Sequence, residues 1–267
     1  MEIAGYIAAM LIGISLGMFG GGGSILTVPV LVYLMHVDAV LATTYSLFIV
    51  GVTSLIGGIR AYAKKNVDFK AVTEFGIPSI FSVFITRHYI LPSIPQHLFS
   101  IGNIQITKDI FLMLLFAILM VVAAVFMMRN NSDDHKHVVE KDRHEKILPL
   151  ALLGLIVGVI TGLLGAGGGF LIIPTMVLYL KLPMKTAVGT SLLIIAINSL
   201  FGFLFSLKQF EYEWKLLIGF TIIAIAGILI GNKFAEKISG FALKKGFGWL
   251  VLIMAVYIII KELFLKQ

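Results

Sequence analysis

The sequence predicts an all-α polytopic membrane protein: eight hydrophobic segments in two homologous four-segment repeats, inverted relative to each other, with helix-breaking glycine runs in segments 1 and 5. Three observations carry this. Mean hydropathy is +1.02, with 59% hydrophobic and 13% charged residues, far from the balance of a soluble domain. Apolar segments stand at 3–35, 39–62, 71–86, 110–128, 147–180, 187–207, 216–230 and 247–260, against about 20 residues for one helical crossing of a bilayer. A shift of 145 positions aligns the halves without a gap from Gly17/Gly162 to Lys70/Lys215, with 15 of 54 pairs identical. An outer-membrane barrel would need short alternating segments, and these runs do not alternate.

The first segment opens on Met1-Glu2-Ile3 without a basic n-region, so a removable signal peptide is not expected. Segments 1 and 5 are too long for one crossing: 3–35 would make about 50 Å of helix against a core of about 30 Å. Each is interrupted, by Gly20, Gly21, Gly22 and Gly23 in the first and by Gly165, Ala166, Gly167, Gly168 and Gly169 in the fifth. Small residues precede both runs at helical spacing, Ala9, Gly13 and Gly17 in one half and Gly154, Gly158 and Gly162 in the other, and such ridges serve close helix packing.

The breaks allow two topologies. Kinked single crossings give eight spans and parallel halves. Re-entrant pairs give three full crossings per half and inverted halves. Lys and Arg split 13 to 8 between the two sides in the first case and 15 to 6 in the second, and equivalent loops alternate in basic charge, as inversion requires. The halves are then an N-terminal repeat (1–128), a polar connecting loop (129–146) and a C-terminal repeat (147–267), with the loop in the cytoplasm and both termini outside. In the loop, His135, His137, His144, Asp133 and Asp134 could hold a metal, but a charged loop is ordinarily just solvated; no cofactor is expected. The net charge of +7 marks topology rather than nucleic-acid binding, since the basic residues flank apolar segments.

A glycine run that breaks an apolar helix leaves backbone N–H and C=O groups that lipid cannot satisfy, and it persists where it lines a cavity. Followed by a helix start, it presents free N–H groups and the positive end of a helix dipole, an environment for anions. The candidate substrate-binding set is therefore Gly20, Gly21, Gly22, Gly23, Ser24, Gly165, Ala166, Gly167, Gly168 and Gly169. Hydroxyl and amide groups in the following segments can supplement it: Thr43, Thr44, Ser46, Thr53 and Ser54 in one half, Thr190, Ser191, Asn198 and Ser199 in the other, with Ser46/Ser191 and Thr53/Asn198 at equivalent positions. Deep carboxylates are scarce, which argues against cation transport. Glu74, near the start of the third segment, and Arg87, at its end, are candidates for coupling or gating, although Arg87 reads as a topological anchor. Enzyme motifs fail: the glycine runs lack the Lys-Ser/Thr of a phosphate-binding loop, and no hydrolase or metalloprotease motif is present.

The paired patterns GMFGGGGSILTVP (17–29) and GLLGAGGGFLIIP (162–174), with IPS (77–79), RHYILP (87–92) and the small-residue pattern over 227–231, resemble the TauE/SafE sulfite exporter family over nearly the whole chain. Ala166 departs from an all-glycine run. The resemblance implies a bacterial or archaeal inner-membrane permease exporting small anions such as sulfite or organosulfonates; nothing in the residues themselves specifies sulfur. Alternating access around a site between the repeats, driven by a proton gradient or the membrane potential, is the expected mechanism. An anion channel or facilitator and a non-transporting membrane scaffold are the alternatives. The expected partners are the anion and the lipid bilayer, without nucleic acid, and exposed apolar helices leave room for a homodimer.

Overall fold

The computed structural model describes residues 2–101, 104–129, 147–165, 167–207 and 209–262. Ala166, the terminal residues and nearly all of the connecting loop, including its histidines and aspartates, lie outside the described residues. The elements are α1 (Glu2–Phe19), a 3-10 turn (Gly20–Leu26), α2 (Thr27–Tyr33), α3 (Ala39–Ala63), α4 (Phe69–Ile85), a π turn (Thr86–Ile90), α5 (Leu91–Ser93), β1 (His97–Ile101), β2 (Ile104–Thr107), α6 (Lys108–Arg129), α7 (Ile147–Leu164), α8 (Gly169–Pro174), a second π turn (Thr175–Tyr179), α9 (Met184–Ser206), α10 (Trp214–Lys237) and α11 (Gly240–Ile260). Among the described residues, seven helical stretches are long and apolar enough to cross a bilayer. The chain is a multi-pass helical membrane protein.

Segments 1 and 5 are each broken at the glycine run into an 18-residue helix and a shorter return piece, and the first helix of segment 5 (α7) is itself one of the seven long apolar stretches. In the first, the chain turns back on itself: Gly23 lies against Ser15 and Leu16, and Met35 reaches Gly5 at the start of α1. The return end is pinned to the end of α11, where the Tyr33 hydroxyl donates to Glu262 Oε1 at 2.6 Å and Lys261 Nζ lies 4.1 Å from the Tyr33 ring centroid. In the fifth, Gly168 caps α8 in the left-handed region (φ 69°) and lies against Thr161 and Val157 of α7. A side chain there would strain the backbone, so glycine makes the reversal.

Helix starts follow ordinary capping chemistry. The Asp38 carboxylate accepts from Val40 N at 3.0 Å at the head of α3, and Asp68 accepts from Ala71 N at 3.0 Å at the head of α4. The third segment does not stop at residue 86. The π turn carries the helix through Arg87 into Leu91–Ser93. A small antiparallel hairpin, with His97 opposite Thr107 and Ile101 opposite Ile104, joins it to α6.

The dominant helix pairs are α1 with α10, α7 with α4, α3 with α9 and α6 with α11. The small-residue ridges make the first two. Gly13 and Gly17 face the backbone of Ala224 and Ile228, while Gly154 and Gly158 face the backbone of Phe75 and Ser79. Backbones approach that closely only where no Cβ intervenes, and lipid gives little other reason for helices to associate. Outward faces are apolar. On α7, Leu148, Leu152 and Ile156 are exposed at i, i+4 spacing while Leu150, Val157 and Thr161 are buried, as expected of a helix with lipid on one side.

Candidate functional site

The two glycine breaks meet. A Cβ on Gly21 would overlap the backbone of Gly169, and a Cβ on Gly169 would overlap that of Gly21. This junction lies beside the crossing of α3 and α9. Gly20 (φ 61°) faces Val188 and Ser191 of α9, Gly165 (φ 67°) faces Thr43 of α3, and Gly167 faces Ser199 and Val50. The structure thus brings together Gly20, Gly21, Gly23, Gly165, Gly167, Gly168, Gly169 and Ser191.

The hydroxyl groups around the junction are buried and differ in state. Ser24 Oγ donates to Gly21 O at 2.5 Å, Thr53 Oγ1 to Ile49 O at 2.5 Å and Ser191 Oγ to Val188 O at 2.8 Å. Each spends its proton on nearby backbone. Asn198 Nδ2 donates to Ser79 Oγ at 2.7 Å, which leaves Asn198 Oδ1 without a partner. Ser46 Oγ, Ser54 Oγ, Thr86 Oγ1, Thr161 Oγ1 and Ser199 Oγ are buried and without a hydrogen-bond partner among the described residues. Buried polar atoms ordinarily find partners, so this concentration around two backbone breaks marks a polar interior.

Arg87 is not at the surface, where a topological anchor would sit. It is fully buried, with 0% exposure. Nη1 donates to Thr44 Oγ1 and Nη2 to Thr43 Oγ1, both at 3.1 Å, and Nε has no partner among the described residues. The Arg87 carbonyl accepts from Gln209 Nε2 at 3.4 Å. Among the described residues no carboxylate is a hydrogen-bond partner of its guanidinium, although burying a charge without a counter-ion is costly. Glu74 is half-buried on α4, thirteen residues earlier.

An aromatic cluster includes Tyr212, whose phenol is within electrostatic reach of Arg87. Tyr45 and Tyr212 stack at 6.1 Å, and Tyr212, Phe203 and Trp214 pack at 5.4–6.3 Å. The Tyr45 hydroxyl accepts from Glu213 N at 2.8 Å. Burial pushes the Tyr212 phenol above its ordinary value, and the neighbouring Arg87 charge pulls it back.

A cavity of about 70 Å³ lies between the ends of α3, α9 and α10, several times the roughly 10–15 Å³ that one water needs. Arg60, Lys64, Lys185, Asn66, Asn232 and Glu236 line it, and it reaches Gly17 and Val188 beside the first glycine break. Lys64 forms an ion pair with Glu236, and Lys185 Nζ donates to the Glu236 carbonyl at 3.2 Å. With three cations against one carboxylate, the lining is net positive. These residues come from three helices and one connection, so no local motif announces them.

Lipid-facing helices, two backbone breaks meeting inside the protein and a charged cavity leading to one of them define a membrane transporter. A family model described as "Sulfite exporter TauE/SafE" matches residues 6–258. Relatives named "Probable membrane transporter protein" align along most of their length. One from Methanocaldococcus jannaschii is 30% identical over 253 residues, 87% of this chain and 86% of its own. One from Xylella fastidiosa (strain Temecula1) is 27% identical over 93% of this chain and 91% of its own, and the Bacillus subtilis protein YdhB is 24% identical over 89% and 92%. No solved structure matches. The chain belongs to the sulfite exporter TauE/SafE family, a family of membrane transporters and not of enzymes.

Proposed function

We propose that the protein is a secondary transporter exporting small anions, sulfite or organosulfonates, across the cell's inner membrane by alternating access between two inverted halves, 1–128 and 147–267. The observation that carries this reading is the meeting of Gly21 with Gly169. Backbone N–H groups of 20–24, 165 and 167–169 line the path, Ser46, Ser191, Thr53 and Asn198 tune it, and Glu74 is available for proton coupling. Export from a negative interior is electrically downhill by about 2.3 kcal/mol per charge per 100 mV.

Pairing supports a two-fold relation between the halves: α1 lies on α10 as α7 lies on α4, and Thr86 faces Gly162 as Gly231 faces Gly17, both at the 145-residue offset. The sidedness of the helix ends favours inversion. The Lys64–Glu236 pair brings the ends of α3 and α10 to one side. Re-entrant breaks allow this, whereas eight simple spans would set those ends on opposite sides. In the naturally cysteine-free chain, single cysteines at Val37 and Leu182 should label from opposite faces of the membrane. Labelling of both from one face would remove the inversion.

On this reading the cavity at Lys64 and Lys185 is the cytoplasmic access, and the cluster of Tyr45, Tyr212 and Trp214 is the closed outer gate. The decisive experiment is flux in proteoliposomes with sulfite, sulfonates, sulfate and thiosulfate. Saturable sulfite flux with counterflow is expected. Flux without counterflow would mean a channel, and no flux of any anion would leave a scaffold.

A further inference from the structure

We propose that Arg87 recognises the transported species as an oxyanion with two terminal oxygens on one centre, and that Thr43 and Thr44 hold the guanidinium in a clamp which those oxygens take over. The inference rests on the anion-transport reading and goes further by naming the charge-bearing residue and the shape of the group it selects.

The clamp itself is the first argument. A guanidinium is a planar fork of donors matched to two acceptor oxygens side by side. Here the two acceptors are hydroxyl oxygens of adjacent residues, Thr44 and Thr43, each 3.1 Å from its own Nη atom. Both hydroxyls direct their protons to Val40 O, at 3.3 Å and 2.7 Å, and so turn lone pairs toward Arg87. The geometry is that of a bidentate arginine–oxyanion pair, but without the negative charge. Neutral hydroxyls bind a guanidinium more weakly than an anion does, so the clamp can be exchanged.

Position is the second argument. Thr43 is the residue of α3 that touches Gly165, and Thr86, next to Arg87, touches Gly162. The guanidinium is thereby tied to the second glycine break. Arg87 Nε, Thr86 Oγ1 and Ser46 Oγ, one turn beyond Thr43 on α3, are buried polar atoms without partners among the described residues. A structural role of tying α4 to α3 would need neither a charge nor an unpartnered Nε. At the 145-residue offset Arg87 corresponds to Asn232, which lines the basic cavity. The two ends of the pathway thus differ in chemistry: exposed lysines and an asparagine at one, a single buried guanidinium near an aromatic cluster at the other.

The test is sulfite, methanesulfonate and chloride binding to the full-length protein in detergent, by calorimetry and by ligand-dependent thermal shift, for wild type, Arg87→Lys, Arg87→Gln and Thr44→Val. Arg87→Lys, which keeps the charge and loses the fork, should weaken sulfite binding at least tenfold, and Arg87→Gln about a hundredfold. Thr44→Val removes a competing acceptor at nearly constant volume and should tighten sulfite binding severalfold, so it reads the clamp even where Arg87→Gln does not fold. Chloride should bind weakly and respond little to Arg87→Lys. Unchanged sulfite affinity in Arg87→Lys and Thr44→Val, in a protein that binds sulfite, would overturn this inference and leave the transport reading intact. Wild type that binds no anion would overturn both.

Discussion

Valine at Gly169 is expected to lower anion flux at least a hundredfold. The Cβ of any residue at 169 falls on the Gly21 backbone, and the reverse holds at Gly21. A clash with a flexible side chain can be relieved by rotation, but one between two backbones cannot. The breaks must move apart, taking with them Gly20 against Ser191 and Gly165 against Thr43. Overpacking of a close contact costs about 1–3 kcal/mol, and a hundredfold loss corresponds to about 2.7 kcal/mol, so the steric effect alone is of the right size. The control is Gly76→Ala on α4, where an added Cβ meets nothing within 4 Å. Gly76→Ala should transport as wild type, while Gly169→Ala should lose tenfold or more. Flux in proteoliposomes, beside elution as a monodisperse species in detergent, separates loss of transport from loss of fold. A folded Gly169→Val protein with normal flux would show that the junction is scaffolding and that the pathway runs elsewhere.

That junction was half legible in the sequence. Two glycine runs 145 residues apart, each followed by a proline at the same distance, announced two broken helices and a matched pair. Hydropathy carries no direction, so residues 3–35 read equally well as one kinked span or as a hairpin; it took Met35 lying against Gly5 to show that the chain returns. Arg87 was misplaced for a related reason. The apolar run ends at 86, and a charge at the end of an apolar run reads as an anchor. A π turn instead carries the helix onward, and Thr43 and Thr44 lie opposite to receive the guanidinium. Two signals were present: the apolar Tyr89-Ile90-Leu91 directly after Arg87, and adjacent threonines inside an apolar segment. The hairpin at 97–107 had its own signal, since Gly102-Asn103 between two alternating runs favours a two-residue turn. The basic cavity had none, because Lys64, Lys185 and Asn232 are brought together only by the packing of α3, α9 and α10.

Neutralising that cavity gives the second large effect. The triple variant Arg60→Gln, Lys64→Gln, Lys185→Gln should lower the rate of anion loading from the cavity side about tenfold at low ionic strength. Clefts lined by one sign of charge raise local counter-ion concentration and association rates by about 10- to 1,000-fold. The low end of that range applies, because Glu236 already cancels one of the three cations and Lys64 and Glu236 are 40% and 51% exposed. The effect is one of encounter, so it should raise KM and leave kcat close to wild type. It should also fade toward 1 M salt, where the screening length falls to about 3 Å. Glu236→Gln should act in the opposite direction, since it frees Lys64 from its ion pair and removes the only carboxylate lining the cavity among the described residues. The competing account is that these cations serve only to orient the chain, as basic residues beside membrane helices commonly do. Two outcomes decide between the accounts. If topology fails, the cysteines at 37 and 182 change sides in the triple variant. If the cavity is the anion's access route, they stay in place while the salt dependence of loading collapses. A triple variant with unaltered topology and an unaltered salt slope would remove the cavity from the pathway.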